Sequence, residues 1–206
     1  MKIEKNSKLI LLVGVFIVAI CSANTLASKL FEIGPWVMTA GILAFPITFI
    51  VTDIINDVWG RKTAQWVVIV GFISNLIMVL LYQVGIWLNP AFFWEGQEAF
   101  QMILGAVPRI VGASMIAYLL SQTWDVYIFS KIKEKIPGKL WLRNNVSTFT
   151  SQAFDSAIFL GLAFGGVIPV PDLLQMYLAY IVVKWIIALI DTPLVYLGVR
   201  WVNNEN

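Results

Sequence analysis

The sequence predicts an all-α membrane protein: a bundle of six transmembrane helices with the N- and C-termini cytoplasmic. Three observations predict it. Of 206 residues, 59% are hydrophobic and only 13% charged, whereas soluble domains average roughly 45–50% apolar and about 25% charged. The mean hydropathy is +0.82, an excess that lipid can face but water cannot. The apolar residues also fall into six blocks, each near the roughly 20 helical residues that cross a hydrocarbon core of about 30 Å. The chain reads as a single polytopic transmembrane domain, 1–206.

The first span is Leu9–Leu30. Lys2, Lys5 and Lys8 ahead of it also suit a signal peptide, but the apolar run continues past Cys21, so it reads as an uncleaved helix. The second, Trp36–Ile55, carries Pro46 in its middle and is expected to be broken or re-entrant there. The third is Ala64–Leu88. Phe92–Met102 reads as a short interfacial helix with Glu95 and Glu98 outward. The fourth span is Ile103–Phe129 and the fifth Val146–Ile168, where Gly161-x-x-x-Gly165 and Gly166 suggest close helix packing. The sixth is Leu173–Val199, with Pro193 inside it.

Loop charge sets the orientation. Basic residues gather before the first span, at Arg61 and Lys62, between Lys131 and Arg143, and at Arg200. Asn89–Met102 and Pro169–Asp172 have none. By the positive-inside rule both termini are cytoplasmic, an alternation that an odd number of spans would break. Most tryptophans fall near span ends, as anchors at the headgroup level do.

Composition excludes several classes. A net charge of +2, with most basic residues in loops and none forming a stripe, gives no nucleic-acid surface. The absence of histidine and the single cysteine leave no metal site of the usual kinds and no cofactor is expected. No phosphate-binding Gly-Lys-Ser/Thr loop is present, and no enzyme motif rises above noise.

The informative residues are the polar ones inside the apolar blocks. A charge at mid-membrane costs at least about 2.5–3.5 kcal/mol and is tolerated mainly in a bundle interior or a wet cavity. Asp155 and Lys184 meet that description, as does Asp191. Asn75 lies near the midplane, Asn24 and Arg109 in the outer half, and Asp53, Asp57 and Asp125 near the cytoplasmic boundary. Asp155, Lys184 and Asp191 suit either a ligand pathway or structural ion pairs between the last two spans.

Several motifs then carry a resemblance. Leu142-Arg143-Asn144-Asn145-x-Ser147-Thr148-x-x-Ser151-Gln152-x-x-Asp155-Ser156-x-x-Phe159 resembles the signature of the YhhQ/VUT family of queuosine precursor transporters. Asn24-x-x-Ala27-x-Lys29, Phe45-Pro46-x-Thr48, Asp53-x-x-x-Asp57-x-x-Gly60, Arg109-x-x-x-Ala113-Ser114 and Pro193-x-x-Tyr196 look like further family elements in order along the chain. The resemblance implies import of 7-deazaguanine bases such as preQ0 and preQ1 across a bacterial inner membrane by alternating access, with proton coupling open.

A guanine-like base presents a ring N–H beside an amino group, and a carboxylate can accept both. Asp155 is the first candidate. Lys184, Asn24 or Gln152 could donate to the neighbouring carbonyl, and Phe45, Phe159 or Tyr180 could stack on the ring. Arg109 would line the entry path, with Asn75 close to the midplane site. Asp53, Asp191 and Asp57 are gate or proton-site candidates. The partners are a small-molecule substrate and the bilayer; a homodimer stays open. Two alternatives also stay open: a substrate-binding subunit of an energy-coupling-factor vitamin transporter, and an intramembrane aspartyl enzyme using Asp53 or Asp155.

Overall fold

The computed structural model describes the backbone of residues 4–135 and 140–203, and their side chains except at 133, 135, 140–145, 188, 189, 191 and 192. Seven α-helices account for nearly all of it: α1 (Lys5–Leu26), α2 (Phe45–Trp59), α3 (Arg61–Trp87), α4 (Gln97–Leu104), α5 (Val107–Lys135), α6 (Leu140–Phe164) and α7 (Val170–Asn203). Two four-residue strands, β1 (Leu30–Ile33) and β2 (Trp36–Thr39), and a 3-10 helix over Ala40–Ala44 lie between α1 and α2.

That insertion corrects the second expected span. Trp36 to Thr39 form a strand, not the start of a helix, turning at Gly34, whose φ of 58° suits a residue without a Cβ. The Ala40 N–H donates to the Lys29 carbonyl at 2.8 Å and closes the base of the hairpin. Pro46 then falls in the first turn of α2, where no backbone N–H is needed. The expected break is therefore absent: α2 runs unbroken to Trp59. A Cβ at Gly41 would lie 2.4 Å from the Ala23 carbonyl oxygen, so only glycine lets the 3-10 segment sit this close to α1.

Gly60 alone separates α2 from α3, with φ 85° and ψ 164°, a backbone region essentially reserved for glycine. The short helix α4 begins at Gln97, later than the expected Phe92, and the Gln97 side chain donates to the Ile86 carbonyl at 3.1 Å. Gly165 and Gly166 correct a second expectation. They terminate α6, Gly166 with φ 77°, and nothing lies within 4 Å of a Cβ built on Gly161 or Gly166. This is a chain-reversal signal, not a helix-packing face. Pro193 is carried inside α7, which spans 34 residues.

By length and apolarity, five helical segments could cross a membrane among the described residues: Lys5–Leu26, Ala40–Trp59, Arg61–Trp87, Gln97–Ile132 and Val170–Ile187. The remaining expected span lies in α6, which has 25 residues but carries Ser147, Thr148, Thr150, Ser151, Gln152, Asp155 and Ser156 in close succession. Along α3, Ile73, Leu76, Ile77, Leu80, Leu81 and Val84 are all exposed. Such a continuous apolar surface is stable against hydrocarbon and prone to associate in water.

The chain divides into two compact units, one drawn from residues 1–31, 39–108 and 186–206, the other from 32–38 and 109–185. The first has an apolar core of Leu12 and Phe16 from α1, Val51, Ile54 and Ile55 from α2, Ala64 and Val67 from α3, and Val202 from the end of α7. The spacings of three and four residues place each helix's contributors on one face. The second unit buries Val111, Ala113 and Ala117 of α5, Leu160 and Ala163 of α6, and Met176, Ala179 and Tyr180 of α7.

Candidate functional site

In the second unit, two pairs of contacts fix the direction of α5 against α6. Ser121 Oγ approaches Asp155 Oδ1 at 3.4 Å, and Ser151 Oγ donates to Asp125 Oδ1 at 3.2 Å. A step of four residues forward on α5 matches four back on α6, so the two run antiparallel. The same rule relates α6 to α7: Lys184 meets Asp155, and Tyr180 meets Phe159. Helix α6 thus lies between α5 and α7, and Asp155 takes partners from both sides.

The central contact is an ion pair. Lys184 Nζ donates to Asp155 Oδ2 at 2.7 Å, with the lysine side chain 3% exposed and the aspartate 26%. A short charge-assisted bond of this kind is roughly twice as strong as a neutral one. It still has to offset the desolvation of both ions, so it is weak evidence for stability alone. The unequal exposure is informative: the ammonium is sealed in, and the carboxylate keeps an open side.

The surroundings are mixed. Phe159, one turn along α6 from Asp155, is buried, with its ring 6.1 Å from Phe164 and 6.3 Å from fully buried Tyr180. Ser156 donates to the Gln152 carbonyl at 2.9 Å and so satisfies itself within the helix. Gln152 Oε1 is buried and has no hydrogen-bond partner among the described residues.

In the first unit, a different polar pair bridges α1 and α3. Asn24 Nδ2 donates to Asn75 Oδ1 at 2.8 Å, and Asn75 Nδ2 donates to the Gly71 carbonyl at 2.9 Å. Both asparagines are buried. Thr25, next on α1, donates to the Cys21 carbonyl and lies 3.3 Å from the Tyr82 hydroxyl. Phe45 stacks on Phe49, with centroids 6.1 Å apart.

Other expected site residues stand elsewhere. Arg109 is exposed and donates through Nε to the Leu162 carbonyl at 2.8 Å and through Nη2 to the Gly165 carbonyl. It caps the C-terminal end of α6, where orphan carbonyls and the negative end of the helix dipole favour a cation. Asp53 and Asp57 are exposed on α2, one turn apart. The side chains of Asp191 and Arg143 lie outside the described residues.

Two participants escaped the sequence reading. Ser121, the α5 partner of Asp155, is one serine among many and has no sequence signal beyond its place in an apolar block. Lys8 resembles a loop charge but is buried: its Nζ donates to the Trp201 and Val202 carbonyls, both at 3.0 Å, and stands 5.5 Å from the centre of the Trp201 ring.

A family model described as "Putative vitamin uptake transporter" matches residues 39–198. A Bacillus subtilis (strain 168) protein named "Probable queuosine precursor transporter" is 32% identical over 200 residues, covering 96% of this chain and 87% of its own. The "Queuosine precursor transporter" of Escherichia coli (strain K12) is 27% identical over 148 residues, 72% of this chain and 65% of its own. No solved structure gives a significant match.

Proposed function

The chain belongs to the vitamin uptake transporter family, and from that membership we propose that it imports queuosine precursors, the 7-deazaguanine bases, across the bacterial plasma membrane. Its relatives are named as transporters, not enzymes, which argues against the intramembrane-enzyme alternative. The working fold is a six-span bundle with α6 as the fifth span and both termini cytoplasmic, a reading supported by the alternation of loop charge. Transport proceeds by alternating access about the α5–α6–α7 site.

The observation that carries the substrate reading is the Asp155–Lys184 pair, with its carboxylate partly open. A carboxylate offers about four acceptor sites, so Asp155 can keep Lys184 on Oδ2 and still receive two more donors. The base's ring N–H and amino group replace Ser121 and complete a bidentate pair. The carbonyl of the base lies beside that ring N–H. In this reading the Lys184 ammonium, held on Oδ2, meets that carbonyl. Phe159 and Tyr180 supply an apolar wall for the flat ring. Asn24 and Asn75 join α1 to α3, and in this reading their role is to hold those helices.

The test is uptake by the purified protein in empty liposomes, without any ATPase. Accumulation of a labelled 7-deazaguanine base, blocked by unlabelled base but not by adenine, is expected. Uptake only after an ATPase and scaffold subunit are added would turn the reading into an energy-coupling-factor binding subunit. No uptake and no binding would end it.

A further inference from the structure

We propose that Gln152 is the residue that makes this site specific for a 2-amino ring, with its side-chain oxygen accepting the second hydrogen of the substrate's exocyclic amino group. The inference rests on the 7-deazaguanine reading above and names the group that separates such bases from their 2-unsubstituted analogues.

The starting point is the buried, unpartnered Gln152 Oε1. Buried polar groups are nearly always hydrogen-bonded, and each exception calls for an explanation. The neighbours supply none. The Ser156 hydroxyl bonds the backbone carbonyl of Gln152, not its side chain. Ser151 is committed to the Thr148 carbonyl and to Asp125. The oxygen therefore waits for a donor that the described protein does not provide.

Its position relative to Asp155 defines that donor. The two residues are three apart on α6, hence on one face with Cβ atoms about 5–6 Å apart. An amino group bound to a carboxylate through one hydrogen directs its second hydrogen about 120° away. With donor–acceptor distances of about 2.9 Å on both sides, the two acceptor oxygens stand about 5 Å apart. Side chains that start from Cβ atoms so close can span that separation. Asp155 then takes the ring N–H and the first amino hydrogen, and Gln152 takes the second. Every donor on that edge of the base is used, and the orphaned oxygen is satisfied only when the amino group is present.

The experiment measures ligand binding by the purified full-length protein in detergent micelles, using 7-deazaguanine and 7-deazahypoxanthine, which lacks the amino group. The wild type is expected to prefer 7-deazaguanine by about a hundredfold, because a site built for an N–H strongly rejects the analogue without it. Gln152→Leu should lower 7-deazaguanine affinity about tenfold and leave 7-deazahypoxanthine binding unchanged or improved. Gln152→Glu, which keeps an acceptor at the same reach, should retain the preference for the amino-bearing base. The ligand-free Gln152→Leu protein should melt no lower than the wild type, since the substitution removes an unsatisfied group. An unchanged preference in Gln152→Leu, or an equal loss toward both ligands, would overturn the role of Gln152 and leave the substrate reading intact. A wild type that binds neither base would overturn the substrate reading and this inference with it.

Discussion

Both units bury a polar side-chain pair between helices, and the pairs differ in kind. Asn24 and Asn75 are neutral and sealed, and the exchange of hydrogen bonds continues to the Gly71 carbonyl. Asp155 and Lys184 are charged, and one partner retains an open side near a buried acceptor that has no donor among the described residues. A neutral, satisfied pair fixes helix register at low cost. A charged, half-open pair is a poor way to hold helices together, because desolvation offsets much of the attraction. The contrast is the basis for reading the first as a structural contact and the second as the proposed binding site.

The sharpest way to break this contrast is at Asp155. Asp155→Asn should lower 7-deazaguanine uptake at least a hundredfold, because an amide offers one acceptor where two adjacent donors must be met. Lys184→Met should do the same through the carbonyl of the base. Removing one member of a buried ion pair costs about 3–5 kcal/mol, so each single variant should also melt lower. The double variant removes both charges together. It should recover much of that stability and none of the uptake. Recovery of transport in the double variant would mean that the pair is structural after all.

The asparagine pair sharpens the contrast from the other side. Asn75→Leu leaves Asn24 unpaired in an apolar core and should destabilise the protein by about 1–3 kcal/mol, the penalty for a buried unsatisfied group. Replacing both asparagines by leucine should bring stability back toward the wild type, with substrate affinity retained in every variant that folds. Denaturation midpoints and binding of 7-deazaguanine measure the two effects separately. A selective loss of affinity in the double variant would move these residues into the recognition site.

These two pairs also show how far sequence carries. Asp155 and Lys184 are legible because an ionisable residue inside an apolar block has few reasons to be there. Their mutual contact is not legible, since they lie 29 positions apart and only the antiparallel register of α6 and α7 brings them together. The helices α1, α3 and α7 follow from block length and hydropathy. The hairpin does not, because four-residue strands in an apolar run have the same hydropathy as the start of a helix. The role of Pro46 is opaque for the same reason: whether a proline breaks a helix or begins one depends on where the first turn falls. Arg109 is visible in the sequence as a charge, but its partners are backbone carbonyls, which no residue type announces.

Gly60 gives an effect of intermediate size confined to the first unit. At φ 85° and ψ 164° it is the single joint between α2 and α3. Gly60→Ala should cost about 1–3 kcal/mol in backbone strain. Because the joint lies outside the unit that holds Asp155, the melting temperature should fall with no change in affinity for the base. A change in affinity without a loss of stability would show that this turn takes part in recognition.

The smallest expected effect comes from the other buried lysine among the described residues. Lys8 and Lys184 are both sealed from solvent, but Lys8 is held by two backbone carbonyls at the end of α7 and by the face of Trp201. Unpaired carbonyls and the negative end of the helix dipole neutralise part of its charge. An ammonium so placed is worth about 0.3–1 kcal/mol at an exposed helix end and up to about 2 kcal/mol when partly buried. Lys8→Met should therefore lower stability by about 1–2 kcal/mol, by loosening the last turn of α7 from α1. Proteolysis of the C-terminal turn should become faster, and binding of 7-deazaguanine should not change. If Lys8→Met instead removed uptake as completely as Lys184→Met, burial of a lysine would not by itself distinguish cap from site, and the open side of Asp155 would lose its diagnostic value.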